Sequence, residues 1–189
     1  MNNYQFFRIY DLLISLVIIS IFSPLFIVIF IFCLLDSGNP IFIQKRVGKN
    51  KKTFKLFKFR TMKIDTPSLA SHMINKKHVT RFGRILRMSK LDELPQLFNV
   101  IRGEMSLVGP RPCLIIQKEL IKSREKFNLF SIKPGITGLA QIKGIDMSNP
   151  ERLVQTELLM ISKINQRDYF KYLFFTLFGK GIGDKINLK

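Results

Sequence analysis

The chain has 189 residues, enough for one domain with a substantial core, and sets 31 Lys and Arg against 13 Asp and Glu for a formal net charge of +18. That excess points to anionic partners: nucleic acid, a membrane surface or phosphorylated substrates. With 47% hydrophobic residues, 18 Phe and no Trp, the composition argues against an ordinary basic nucleic-acid binder and suits a membrane-associated protein that handles phosphates.

In chain order, the first element is Leu12 to Leu35, "LLISLVIISIFSPLFIVIFIFCLL", which carries no charge. As a straight helix it would reach about 36 Å, enough to cross a hydrocarbon core of about 30 Å. The run is too long for a cleaved signal peptide, and no small-residue cleavage site follows it. Two arrangements remain open. In one, the segment spans the bilayer and the basic residues beyond it hold the rest on the cytoplasmic side. In the other, it enters and turns back at Ser23-Pro24, where proline removes a donor and Ser23 can bond a freed carbonyl.

Gly38-Asn39-Pro40 closes this segment. "IFIQKRVG", "KNKK" and "TFKLFKFRTM" then predict a β-hairpin, with Phe54, Leu56 and Lys58 on one face and Lys55, Phe57 and Phe59 on the other. The basic residues from Lys45 to Lys63 read mainly as a solvated stripe drawn to anionic lipid, with one or two left to touch a substrate. Residues 64–80 predict a polar loop. His72 and His78 lack partners at ligand spacing and read as surface histidines. Cys33 and Cys113 have no pairing or metal spacing and read as reduced thiols.

After Ser89 the pattern predicts a helix with Leu94, Leu97, Phe98 and Ile101 on one face, Pro95 in its first turn and Gly103 as its stop. "LIIQKELIKSREKF" predicts a second amphipathic helix, and "KPGITGLAQIKG" a glycine-rich turn region. Asn149-Pro150-Glu151 is a cap, proline and acid that open a helix to about Ile164. "DYFKYLFFTLFGKG" predicts a last helix with Asp168 as cap and Gly179 as stop. Its aromatic body suits either core burial or a position along a membrane interface.

The chemistry concentrates in "SKLDELPQLFNVIRGEMSLVGPRP", residues 89–112. Acids at a helix N-terminus have a plain explanation, since the dipole favours them by up to about 1 kcal/mol. The neighbours suggest more. Arg87 precedes Asp92 and Glu93, Arg111 sits on a stiff Gly-Pro-Arg-Pro turn, and Lys58 comes from the hairpin. Two carboxylates, phosphate-matching cations and a helix N-terminus fit chemistry on a phosphate anhydride. One carboxylate with Mg²⁺ can hold a diphosphate, and the other can attack phosphorus.

On "FSP", "FKFRTM", "TRFGRILR", "LDELPQLFNVIRGEMSLVGPRP" and "PGITGLAQIKG", the chain resembles the bacterial sugar transferases, the small monotopic polyprenyl-phosphate phosphoglycosyl transferases. The resemblance runs from about Arg8 to the helix after Pro150. It implies transfer of a sugar 1-phosphate from a UDP-sugar to undecaprenyl phosphate, with release of UMP. It implies a covalent phosphosugar on Asp92, Glu93 with Asp92 at Mg²⁺, and Lys58, Arg87 and Arg111 around the phosphates. Glu157 stands where related chains can carry an Asp and joins the expected substrate contacts.

The implied fold is α+β and mainly helical: a re-entrant membrane helix over residues 1–38 broken at Ser23-Pro24, then a membrane-interface domain over 39–189 with a β-hairpin. It would lie at the cytoplasmic face of the bacterial inner membrane, against anionic lipids and without nucleic acid. No multi-helix domain precedes it, so a minimal catalytic form is expected. Two departures stand out: Phe7-Arg8 where Lys-Arg is usual, and Gly144-Ile145-Asp146 where Gly-Arg-Asn is common.

Overall fold

The computed structural model describes residues 6–66 and 76–178. His72, the middle of the polar loop and Gly179 lie outside them. The expected α+β architecture is present. Helix α1, Phe7–Ser37, is not broken at Ser23-Pro24 as the resemblance implied but runs helical through Pro24, and it ends at Gly38, whose left-handed backbone (φ 72°) lets its N–H close on the Leu34 carbonyl. Pro24 deprives the Ser20 carbonyl of its helical donor, and the Ser23 hydroxyl donates to that oxygen at 2.9 Å. One stripe, Phe7, Asp11, Ser15, Ile29 and Cys33, is buried. Most of the other apolar side chains, among them Leu13, Val17, Ile21, Val28 and Leu35, face outward.

The predicted hairpin forms from β1, Ile41–Val47, and β2, Thr53–Phe59, antiparallel with Gln44 opposite Leu56 and Arg46 opposite Phe54. Strand β4, Cys113–Leu114, pairs with the other side of β1, so β2 is an edge strand. Its inner face is Phe54, Leu56 and Lys58, as the alternation predicted. Phe59 is also buried, because it packs against Phe26 of α1. The polar loop leaves and returns through a bridge between Met62 and Val79.

Helix α2, Arg81–Ser89, is capped by the Thr80 hydroxyl, which accepts from the Gly83 N–H. Helix α3, Gln96–Ile101, begins later than predicted, with Pro95 at its cap. Its face also differs. Phe98 is exposed and meets Phe26 edge-on, whereas Leu97 and Val100 enter the core with the polar Gln96 and Asn99. Strand β3, Ser106–Val108, runs parallel to β5, Gly135–Thr137, from the glycine-rich region. A Cβ on Gly135 would lie 2.0 Å from the Gly109 nitrogen, so both turn motifs need glycine for backbone to meet backbone.

The second predicted helix is shorter than its pattern: α4 covers Lys118–Lys126 because Cys113 and Leu114 have joined the sheet. After the short α5, Leu139–Ile142, helix α6 spans Pro150–Lys163 with Asn149 as its cap, as predicted. Helix α7, Gln166–Leu177, starts one turn before the expected Asp168. The Asn165 side chain accepts from the Asp168 N–H and is the cap, leaving Asp168 in the first turn. Tyr169 and Tyr172 face the core, while Phe170, Phe174 and Leu177 are exposed.

Candidate active site

The site grows from a break between two helices. Lys90 takes a left-handed conformation (φ 59°) and ends α2. A single 3₁₀ turn, Leu91–Glu93, follows before Pro95 starts α3. On a regular helix adjacent side chains diverge by about 100°. Here the irregular turn carries Asp92 and Glu93 inward, and both are buried.

Glu93 Oε1 accepts from Arg111 Nη2 at 3.0 Å and from Lys58 Nζ at 3.4 Å. Two of the three predicted cations, Lys58 and Arg111, therefore meet at one oxygen of the predicted Glu93 carboxylate. Arg87, on the last turn of α2, donates its Nε to the Thr61 hydroxyl at 2.7 Å, which ties it to the end of the hairpin. Arg46, Lys58, Gln96 and Arg111 line a small cleft here. On the other side Lys90 and Glu93 border a cavity of about 910 Å³, walled mainly by apolar side chains of α1 and α7.

Glu157 falls elsewhere. It is buried on α6 and takes two hydrogen bonds from Arg124, at 2.6 and 2.9 Å, so its side chain faces the α4–α6 seam and not the cleft. Burial raises its carboxyl above the ordinary range, and Arg124 opposes that shift.

Three supporting residues were not singled out from the sequence. Arg46 was counted with the solvated stripe, but it is buried and donates to the Pro112 carbonyl at 3.0 Å and to Gln44 Oε1 at 2.6 Å. The hairpin register held the signal, since Arg46 and Gln44 share a face with Leu56 and Lys58. Asn99 completes the open edge of β2: its Oδ1 accepts from the Phe57 N–H at 3.1 Å and its Nδ2 donates to the Lys55 carbonyl at 2.7 Å. Asp11, just before the apolar run, accepts from the Leu107 N–H, Ser106 hydroxyl and Tyr169 hydroxyl at 2.8 to 3.0 Å.

Both cysteines are free, as expected, and both are buried. Among the described residues no cluster of three or more His, Cys, Asp or Glu is placed to hold a metal. Mg²⁺ needs no such cage, because one or two carboxylates suffice when substrate phosphates complete the shell. Asp92 and Glu93 meet that requirement.

The apolar helix α1, long enough to cross a membrane, suggests membrane association, and two buried carboxylates lie close to several cations in the domain it packs on. The chain belongs to the bacterial sugar transferase family, whose profile matches residues 2–180. It is 39% identical over 143 residues to a UDP-glucose:undecaprenyl-phosphate glucose-1-phosphate transferase of Caulobacter vibrioides, covering 73% of this chain and 54% of that relative. A protein of the same description from Klebsiella pneumoniae is 36% identical over 97% of this chain and 41% of its own length. The exopolysaccharide production protein ExoY of Rhizobium meliloti is 40% identical over 72% of this chain and 68% of its own. The chain spans only 32% of an uncharacterised sugar transferase of Haemophilus influenzae.

Proposed function

We propose that this protein transfers a sugar 1-phosphate from a UDP-sugar to undecaprenyl phosphate, giving undecaprenyl-diphosphate sugar and UMP, at the first membrane step of capsule, O-antigen or protein-glycan synthesis. The observation that carries the reading is the Glu93 carboxylate gripped by Arg111 and Lys58, next in the chain to buried Asp92 and at the border of a large, mainly apolar cavity. The charged groups suit a diphosphate, and the apolar cavity suits a lipid acceptor.

In the mechanism, Asp92 attacks the phosphorus that bears the sugar. The bond to the UMP oxygen breaks, and UMP leaves with that electron pair. Arg111 and Lys58 face the charge that develops on the phosphoryl oxygens. A phosphate oxygen of the lipid then attacks the aspartyl phosphosugar and releases the Asp92 carboxylate. Asp92 and Glu93 are the residues that would hold Mg²⁺, which when bound neutralises the diphosphate.

The same reading makes α1 re-entrant, with both ends on the cytoplasmic side. Its two ends are tied to one domain, which supports this. Near its start Arg8 donates to the Val100 and Ile101 carbonyls at 2.6 and 3.0 Å; near its finish Cys33 contacts the Arg60 carbonyl. A helix that crossed the bilayer would carry one end away from the domain that holds the other.

The activity is tested by UMP release from a panel of UDP-sugars in detergent, with and without undecaprenyl phosphate, and with Mg²⁺ or a chelator. The expected result is lipid-linked sugar formed stoichiometrically with UMP, abolished by the chelator. UDP as the nucleotide product would instead indicate transfer of the sugar without its phosphate.

A further inference from the structure

Arg111 reaches Glu93 from the Gly-Pro-Arg-Pro turn, residues 109–112, and that turn is fastened on both sides of it. The Gly135 N–H donates to the Pro110 carbonyl at 2.8 Å, which fixes the peptide entering Arg111. Arg46 Nη1 donates to the Pro112 carbonyl at 3.0 Å, which fixes the peptide leaving Pro112. Little freedom remains between these two bonds. The proline ring locks φ of Pro112, and a residue before proline is confined to extended backbone. Arg46 is itself aimed by the hairpin. On β1 it pairs with Phe54 of β2 on one side and Leu114 of β4 on the other. Its Nη2 donates to Gln44 Oε1 at 2.6 Å, two residues back on the same face of the strand. Gln44 and Arg46 are each 7% exposed. Lys58 leaves β2 from that face too, opposite Phe42, and meets Glu93 Oε1 directly at 3.4 Å.

A buried guanidinium is costly to desolvate, so an arginine at this place on an inner strand face calls for a reason beyond packing. Its two Nη groups both bond protein, one of them the backbone that carries Arg111. We propose that Arg46, oriented by Gln44, is the positioning residue for Arg111: it clamps the Gly-Pro-Arg-Pro turn to β1 and so holds the Arg111 guanidinium on Glu93. One face of the hairpin then sets both cations at Glu93 Oε1, Lys58 by direct contact and Arg111 through Arg46. Arg46 acts through Arg111 and not by touching substrate. The inference rests on the proposed phosphate-transfer function of this site.

Removing Arg46 alone would leave the Gln44 amide buried without its partner, so the main test pairs Arg46→Met with Gln44→Leu. Arg46→Lys is the conservative variant, which keeps the charge but cannot fork to both acceptors. The double variant should unfold cooperatively, yet lose ~100-fold in kcat with less than ~3-fold change in donor KM. Arg46→Lys should lose only ~5-fold, because one donor can still meet the Pro112 carbonyl. On an Arg111→Ala background the double substitution should change kcat by less than ~2-fold, because what it positions is gone. Hydrogen exchange at the Gly135 amide, bonded to the other side of the turn, should quicken in both variants as the turn loosens.

A folded double variant with wild-type kcat overturns the proposal. So does a loss that multiplies in full with Arg111→Ala, the mark of a residue that works on substrate itself. If the double variant does not fold, Arg46→Lys decides: a kcat ~5-fold lower at unchanged donor KM supports the proposal, and a wild-type kcat overturns it. Wild-type protein that transfers no sugar phosphate defeats the functional reading instead. Exchange at the Gly135 amide of Arg46→Lys then still tests the clamp, and an unchanged rate overturns it.

Discussion

Glu93 Oε1 receives both a lysine and an arginine, and the proposed chemistry turns on those two cations. Arg111→Ala should lower kcat by ~10²–10³-fold, as removal of a charge-stabilising donor does elsewhere, with a smaller loss for Arg111→Lys. Steady-state kinetics at saturating UDP-sugar measures this. Asp92 and Glu93 were singled out in the sequence because they sit among arginines before a proline, and both are buried. Arg46 was legible only to a reading that paired the hairpin strands first. Asn99 was not, since nothing local marks it as the partner of a strand 42 to 44 residues away. Cys113 is fully buried, and burial pushes its thiol above the ordinary range. Native protein at pH 8 should therefore resist alkylation at Cys113 and react there only after unfolding, which peptide mass mapping would show.

At the scale of elements, α1 is held by polar contacts that its apolar composition conceals. Asp11 joins it to β3 and α7 through three hydrogen bonds at 2.8 to 3.0 Å. A hydrogen bond of this kind contributes about 0.5–1.5 kcal/mol net, and leaving a buried donor unpaired costs more. Asp11→Leu should lower the thermal midpoint sharply and loosen α7, whereas Asp11→Asn, which keeps an acceptor, should cost less; thermal unfolding in detergent separates the two. The sequence put Asp11 one residue outside the apolar run, and its partners lie 95 to 158 residues away. Local signals did better at helix ends. Asn149 and Gly38 were read correctly, but at α7 the sequence pointed to Asp168 alone, whereas Asn165 is the cap because its side chain reaches the Asp168 N–H. The short 3₁₀ turn at Leu91–Glu93 was also hidden, because periodicity does not register a left-handed Lys90.

The whole molecule presents two surfaces suited to a bilayer. Exposed apolar side chains run along α1 and the outer face of α7, and exposed lysines 45, 49, 51, 52 and 55 project from the hairpin. Apolar burial does not depend on salt, but attraction to anionic lipid does. Binding to anionic vesicles should weaken about 5-fold per lysine for Lys49→Gln and Lys52→Gln, given ~1 kcal/mol for each near the surface. Flotation in 1 M salt should erase that difference without releasing the protein. Composition alone announced this scale, through a large positive charge joined to unusual hydrophobicity. It could not announce that both ends of α1 return to one domain, because that depends on Arg8 meeting the end of α3.

The central claim is a covalent step at Asp92, and intact-protein mass measures it directly. Purified protein is incubated with Mg²⁺ and each of several UDP-sugars, without lipid acceptor. The account predicts a mass gain of one sugar phosphate with a matching donor, absent in Asp92→Asn and discharged when undecaprenyl phosphate is added. Asp92→Asn should also reduce turnover by about four orders of magnitude, the scale of losing a covalent nucleophile. Wild-type protein that stays at its unmodified mass with every donor, yet forms lipid-linked sugar and UMP once acceptor is present, would contradict it and point to direct transfer between the substrates.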